Sequence, residues 1–294
     1  MSGQALRVVF DTNVFSATHF DTIDNSPLRL LCRRGRVVPI YSGVFLEETL
    51  RSYASPTIRQ DLLTRWLPFI IASALRFCDD LPSIWRRELL QGRGRDASIF
   101  MSAKVQENLL AHLANIPKDG TWDFFGETKM ERDADVAKSI ARRNNSKEMR
   151  KEVSSLLHNM GIQGAPSDAL PLSAEVHAHL VVHLGYGLIQ RYVTPKDWRA
   201  VGTRWARDRN SYPFFTQFAE NAVYQEMRFM TDHTASIDLN AQADLDILTH
   251  LLRADALVTN ETGFMRTAFE DLWRARRKTI FDSSEFAAFL RKLI

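Results

Sequence analysis

An α/β fold, built on a parallel sheet sandwiched by helices and interrupted by an all-α insertion, is what the sequence predicts. Three observations predict it. Short β-branched runs alternate with helical patterns over residues 1–56. The same alternation returns over residues 235–294. The stretch between them, 57–234, has helical apolar spacing and no convincing strand. With 45% hydrophobic residues in a chain of 294, apolar material is ample for a packed core, which excludes a disordered chain.

Leu6 to Phe10 is a short apolar run with two valines, as expected of a strand buried on both faces of a parallel sheet, and it ends at Asp11. Pro27 to Arg34 reads as a short helix, with Gly35 where a helix would end. Val37 to Tyr41 is a second buried strand, and Ser42 caps a helix whose Phe45, Leu46 and Leu50 share a face. Near the other end, a helix spans about Ala241 to Arg253, Ala256 to Thr259 is a strand, and Phe264 to Arg276 is another helix. Thr279 to Phe281 is a fourth strand, and Ser283 opens a final helix with Glu285 and Phe286 in its first turn. Between the ends, helices are expected at Thr57–Cys78, Asp96–Ile116 (capped by Asp96), Arg132–Met160, Ser173–Tyr192, Pro195–Arg207 and Phe214–Met230.

Bulk properties narrow the function classes. Lys and Arg number 38 against 35 Asp and Glu, a balance that neither demands nor excludes nucleic acid. Cys32 and Cys78 lie far apart in apolar surroundings and read as reduced core residues. The longest apolar run, Trp66 to Leu75, contains Pro68 and is shorter than the about 20 residues a membrane helix needs. No signal-peptide pattern opens the chain, so a cytoplasmic protein without a membrane partner is expected.

In open parallel sheets ligands bind at the carboxyl ends of the strands. The first strand ends in Asp11-Thr12-Asn13. The helix after the second carries Glu47 and Glu48. The third ends in Thr259-Asn260-Glu261, and the helix before it carries Asp244 and Asp246. Carboxylates from four distant stretches thus converge on one edge. Clustered anions repel, and a hard cation such as Mg²⁺ or Mn²⁺, which takes oxygen ligands, accounts for them. Each acid also has a plain reading as a turn or helix-terminus residue.

The stretches Val8-Val9-Phe10-Asp11-Thr12-Asn13-Val14, Ser42 to Leu50 and Asp244 to Phe264 resemble the PIN domain family, in its order. The resemblance covers the two ends of the chain and implies a Rossmann-like nuclease core. By that resemblance Asp11, Glu48, Asp244 and Glu261 are the catalytic, metal-holding acids, with Asp246 as the other candidate on its helix. Asn13 and Thr259 match polar positions that orient them. Glu261 stands where the family often has Asp, and the long insertion between Glu48 and Asp244 is the largest departure. The implied activity is metal-dependent cleavage of single-stranded RNA, with an inactive RNA- or protein-binding module as the alternative. A homodimer or an inhibitory protein partner is compatible with either. A nucleotide-binding α/β domain is the rival class; the absence of a glycine-rich loop after the first strand argues against it.

Two basic clusters lie in the insertion. Lys138, Arg142, Arg143, Lys147, Arg150 and Lys151 are interspersed with acids and read as a solvated helix face. Arg191, Lys196, Arg199, Arg204, Arg207 and Arg209 are interleaved with Tyr192, Trp198, Trp205 and Tyr212. Of these, Arg191, Trp198, Arg199, Arg204, Trp205 and Arg207 are the candidate RNA contacts, cations for phosphates and rings for bases. The competing reading turns the tryptophans to the core. His177, His179 and His183 share a helix but lack an HExxH pattern or a nearby Cys. Gly92-Arg93-Gly94-Arg95 lacks the ending of a phosphate loop.

Overall fold

The computed structural model describes residues 5–74, 76–91, 98–116, 174–193, 196–231 and 241–294, with positions 137 and 141 besides. Strand β1 (Leu6–Phe10) is followed by short helices α1 (Phe20–Asp24) and α2 (Leu28–Arg33), strand β2 (Val37–Ile40) and helix α3 (Gly43–Arg51). Gly35, at φ +65°, turns the chain between α2 and β2, a conformation that carries no Cβ penalty in glycine. Ser42 caps α3 by accepting a hydrogen bond from the Phe45 N–H at 3.1 Å.

Helices α4 (Pro56–Asp61) and α5 (Leu67–Ser73) are joined by a π-helical turn at Leu62–Trp66. Pro68 explains the turn: it has no N–H to donate and its ring crowds the preceding carbonyls, so the helix widens there. The helix expected over Thr57–Cys78 therefore ends at Ser73. Phe77 and Cys78 are extended instead. Phe77 bridges Tyr41 in parallel, and Cys78 bridges Phe100 antiparallel. The helix expected to start at Asp96 starts at Ala103 as α7 (Ala103–Asn115), after α6 (Leu81–Gln91), because Ile99 and Phe100 are drawn into that extended pairing and Ser102 takes the cap. Asp96 itself, Gly92–Arg95, the helix expected over Arg132–Met160 and the basic cluster Lys138–Lys151 lie outside the described residues.

The described chain continues with α8 (Ala174–Tyr192), α9 (Trp198–Arg207) and α10 (Pro213–Thr231). It closes with α11 (Ala241–Thr249), β3 (Ala256–Val258), α12 (Phe264–Leu272), β4 (Thr279–Phe281) and α13 (Ser283–Arg291). Helix α13 opens at Ser283 as expected, and Asp282 caps it in a reciprocal capping box with Glu285.

All four strands are parallel, in the order β2-β1-β3-β4. Val9 faces Ile40 on one side of β1 and Leu257 on the other, so the two ends of the chain interlock through adjacent strands. The sheet is flanked by helices. Val8, Phe10, Tyr41 and Phe286 share one buried cluster with Leu62, Trp66, Phe69, Phe77 and Leu113. The insertion expected from residue 57 thus does not begin where packing divides. The chain separates into two units: one holds residues up to Ile84, the segment from Ser98 and residues from Gln242 onward, and the other begins at Trp85.

The second unit has its own core. Gly185 lies where a Cβ would meet the Trp205 ring at 2.1 Å, and Gly202 where one would meet the Tyr186 ring at 2.4 Å. Each helix of the α8–α9 pair thus opens a glycine for the other's aromatic ring. Buried Glu88 accepts the N–H groups of Phe214 (3.1 Å) and Phe215 (2.9 Å), placing a carboxylate on the N-terminus of α10.

Candidate active site

Asp11 follows the last residue of β1, and its N–H donates to the Val258 carbonyl at 3.0 Å, fixing it beside the end of β3. Its carboxylate is buried. Oδ2 accepts the Thr259 hydroxyl at 2.5 Å, and Oδ1 lies 3.4 Å from the Thr12 hydroxyl. The same Thr12 hydroxyl donates to Glu48 Oε2 at 3.1 Å. One side chain therefore joins an acid from the end of β1 to an acid from α3, 37 residues apart in sequence numbering (48 − 11).

Thr259 is used completely. Its oxygen accepts from Asn13 Nδ2 (3.2 Å) and from the Glu261 N–H (3.0 Å), so its single proton is directed at Asp11. Asn13 also accepts the Asn260 N–H at 3.0 Å. Asn260 in turn is clasped to α13, donating to Ser283 Oγ (2.8 Å) and accepting the Ser283 N–H (3.0 Å). Thr12, Asn260 and Ser283 were not among the residues the sequence singled out. The polar pairs Thr12-Asn13 and Thr259-Asn260 at two strand ends were the available signal; the link to Ser283 had none, because it depends on β4 lying beside β3.

Glu261 stands at the same edge. Oε1 accepts the Met265 N–H at 3.2 Å in the first turn of α12. Gly263 leaves room for that carboxylate, since a Cβ there would stand 3.0 Å from Oε1. The Asp11 carboxyl is pushed up from 3.8 to about 6, mainly by burial; the Thr259 hydrogen bond opposes the shift and the Glu261 charge adds to it. Glu48 is pushed up from 4.5 to about 7, again mainly by burial, opposed by Thr12 and raised further by Asp11. Glu47 points elsewhere, to an ion pair with Arg51 at 2.5 Å with its side chain 44% exposed.

The fourth expected position, Asp244, is buried on α11, the helix that leads into β3. Asp246 accepts from Gln242 Nε2 at 2.8 Å and is pushed up to about 7 by burial, with no acid contributing. His250 places Nδ1 2.9 Å from the Asp246 carbonyl, and burial pulls its imidazole down to about 4. Among the described residues no group of three or more His, Cys, Asp or Glu has the spacing to hold a metal ion. The donor chemistry at Asp11, Glu48 and Glu261, all carboxylate oxygen at a strand-end edge, suits a hard cation. That chemistry is present as two coupled pairs, Asp11–Glu48 and Asp11–Glu261.

The expected RNA contacts divide. Arg191, Arg199, Arg204 and Arg207 are exposed, and the Arg199 guanidinium lies 5.2 Å from the half-buried Trp198 ring. Trp205 is fully buried, packs edge-on against Phe215 at 5.0 Å and donates from Nε1 to Thr216 at 3.0 Å. It is a core residue, because the glycines at 185 and 202 draw the two helices together around it. His179 and His183 are exposed and belong to no metal-holding group among the described residues. Both cysteines are free and buried. Among the described residues no helix is long and apolar enough to cross a membrane. Comparison with protein-family models, curated proteins and solved structures returns no match.

Proposed function

We propose that this chain is a divalent-cation-dependent endoribonuclease of the PIN type, hydrolysing phosphodiester bonds of single-stranded RNA at the edge formed by Asp11, Glu48 and Glu261. The observation that carries the reading is the meeting of Asp11 and Glu48 on one Thr12 hydroxyl, at the carboxyl ends of parallel strands. Both acids are buried enough to be held well above their ordinary range, so the fold places carboxylates where they repel and are poorly hydrated. In this reading Asp11 and Glu48 hold the cation, Glu261 adds a third charge, and Thr259 with Asn13 fixes the Asp11 carboxylate. Asp244 is the fourth ligand by resemblance, with Asp246 as its alternative. A Mg²⁺ or Mn²⁺ ion there would supply Lewis-acid polarisation of the phosphate and acidify an attacking water. On the other unit, the exposed arginines of α9 with Trp198 are separate candidate contacts for RNA phosphates and a base.

Glu261, which stands where the family often has Asp and accepts the Met265 N–H, favours a second reading, a PIN-like scaffold that binds RNA or protein without cutting it. Two measurements separate them. Titration of the purified protein with Mn²⁺ should give saturable binding that Asp11→Asn abolishes. Incubation with a labelled single-stranded RNA should give cleavage with Mn²⁺ and none with EDTA. Cleavage undiminished by chelation would sink the metal mechanism, and absence of both binding and cleavage would leave the scaffold.

A further inference from the structure

Because the four strands are parallel, the segments that lead into them lie along one edge of the sheet, opposite the edge carrying Asp11 and Glu48. That amino-terminal edge is basic. Arg33, Arg34 and Arg36 lead into β2 and are exposed. Arg274, Arg276 and Arg277, also exposed, lead into β4. Between the two groups Arg7 projects from β1, its guanidinium 3.5 Å from the Arg253 carbonyl on the way into β3. The strand order puts the two groups at opposite ends of the edge, roughly 14 Å apart across three strand spacings.

Glu270 pairs with Arg274 at 2.8 Å, and Asp255 accepts the Arg7 backbone N–H at 2.8 Å. Among the described residues, none of Arg33, Arg34, Arg36 and Arg277 has an acid within ion-pair distance. Helix dipoles explain only part of the row. Arg33 sits in the last turn of α2, where a cation is favoured, but Arg36 lies beyond it. The turn before β4 has only three residues and so little dipole to complement. Arg277 is also held at φ +58°, the one described non-glycine residue at positive φ, whereas the comparable turn before β2 uses glycine. The fold tolerates a strained arginine where a relaxed glycine was possible.

We infer that this edge is a docking strip for the phosphodiester backbone of single-stranded RNA. The inference rests on the nuclease reading above: an acidic cutting edge repels a polyanion, and this row offers the strand a hold on the same unit. Arginine forks suit phosphate oxygens, and a narrow row suits one strand better than a flat anionic surface.

The test measures binding of a labelled single-stranded oligouridylate to the full chain by fluorescence anisotropy, in EDTA, over a range of salt. Removing three phosphate contacts with Arg33→Gln, Arg34→Gln and Arg36→Gln should lower the slope of log affinity against log salt by about 2, and weaken binding on the order of a hundredfold at about 0.1 M salt. Arg277→Gly should weaken binding roughly fivefold, one contact, while raising the melting temperature through relief of φ. Equal loss from Arg76→Gln, Lys104→Gln and Arg266→Gln, three exposed cations of the same unit that do not lead into a strand, would mean net charge alone and overturn the inference. So would tighter binding to phosphatidylserine vesicles than to RNA. Because EDTA silences any cation-dependent chemistry, RNA binding that depends on the edge sustains it even if Mn²⁺ gives no cleavage. Cleavage with binding unmoved by these variants overturns the edge and leaves the nuclease reading standing.

Discussion

Asp11→Asn separates a functional carboxylate from a structural one by the sign of its effect. In the parent the carboxyl is held at about 6 against an ordinary 3.8, which corresponds to about 3 kcal/mol of destabilisation once the group is ionised in the fold. The sign follows from linkage. A raised folded-state value leaves the folded protein holding the proton more tightly than the unfolded chain, so stability is lost as pH rises from 3.8 through 6 and stays lost above it. An amide removes that penalty. Its oxygen can still accept the Thr259 hydroxyl, and a poorer fit there costs about 1 kcal/mol. The metal-free variant should therefore be about 2 kcal/mol more stable than the parent at pH 8, a rise of roughly 5 °C in Tm. The penalty falls to about 1.6 kcal/mol at pH 5, where most parent molecules carry the proton, so the advantage should shrink to roughly a third of its size at pH 8. Mn²⁺ should stabilise the parent and not the variant, and RNA cleavage by the variant should fall by orders of magnitude. Glu47→Gln is the control: its pair with Arg51 is exposed, so stability should change by less than about 1 kcal/mol and cleavage not at all. The reasoning is refuted if Asp11→Asn melts below the parent by the same margin at both pH values and still cuts RNA. Asp11 would then be an acid that holds Thr259 and nothing more.

Thr12→Val removes the hydroxyl shared by Asp11 and Glu48, so Mn²⁺ affinity should fall several-fold while Thr12→Ser retains it; equal affinity for both variants in a titration would remove Thr12 from the site. Cation binding must displace protons from acids held at about 6 and about 7, so Mn²⁺ affinity should climb between pH 5.5 and 7.5 on the order of tenfold or more and then level off; a flat profile by calorimetry would contradict that. Trp205→Ala should cost about 3–5 kcal/mol in denaturant unfolding, because the ring is fully buried against Gly185; a loss of RNA affinity without destabilisation would restore it to the nucleic-acid surface.

The strands were legible because each is a short apolar run containing β-branched residues and bounded by polar residues, and the buried stretches of β1, β2 and β3 leave such runs little other use. The resemblance preferred Glu48 to Glu47 by its distance from Ser42, and Glu48 is the one that meets Thr12 while Glu47 pairs with Arg51. What was not legible depends on pairing at long range. Phe77 and Cys78 read as the end of a helix because their apolar spacing fits either structure, and only the partners Tyr41 and Phe100 decide. Trp205 read equally as a stacking platform or a core residue. Two glycines on two different helices settle it, and nothing local to Trp205 announces them. The basic edge was missed for the same reason. Arg33, Arg34 and Arg36 are some 240 residues from Arg274 and Arg277 in sequence, roughly the whole chain, and only strand order brings them to one edge.

The choice of partners around the acids separates a site from a salt-bridge network. A fold that needed Asp11 and Glu48 only as structural anions would be expected to set arginine or lysine against them, which would pull their titration down. Here the direct partners are neutral: the Thr12 and Thr259 hydroxyls, with the Asn13 amide behind them. Arg51, the one cation acting on Glu48, ranks below burial, Thr12 and Asp11 in its effect and is itself engaged with Glu47. Hydroxyls orient a carboxylate without cancelling its charge. A row of exposed arginines, Arg33, Arg34, Arg36, Arg274, Arg276 and Arg277, lies instead at the far ends of the same strands. Along β1, five residues and about 17 Å long, the fold thus passes from an exposed arginine at Arg7 to a buried, unneutralised acid at Asp11. Folding alone gains nothing from that separation, since the acids repel and burial holds them near neutral titration. A cation arriving from solvent at one edge, and a phosphate backbone arriving at the other, would each find its charge left unmet by the protein.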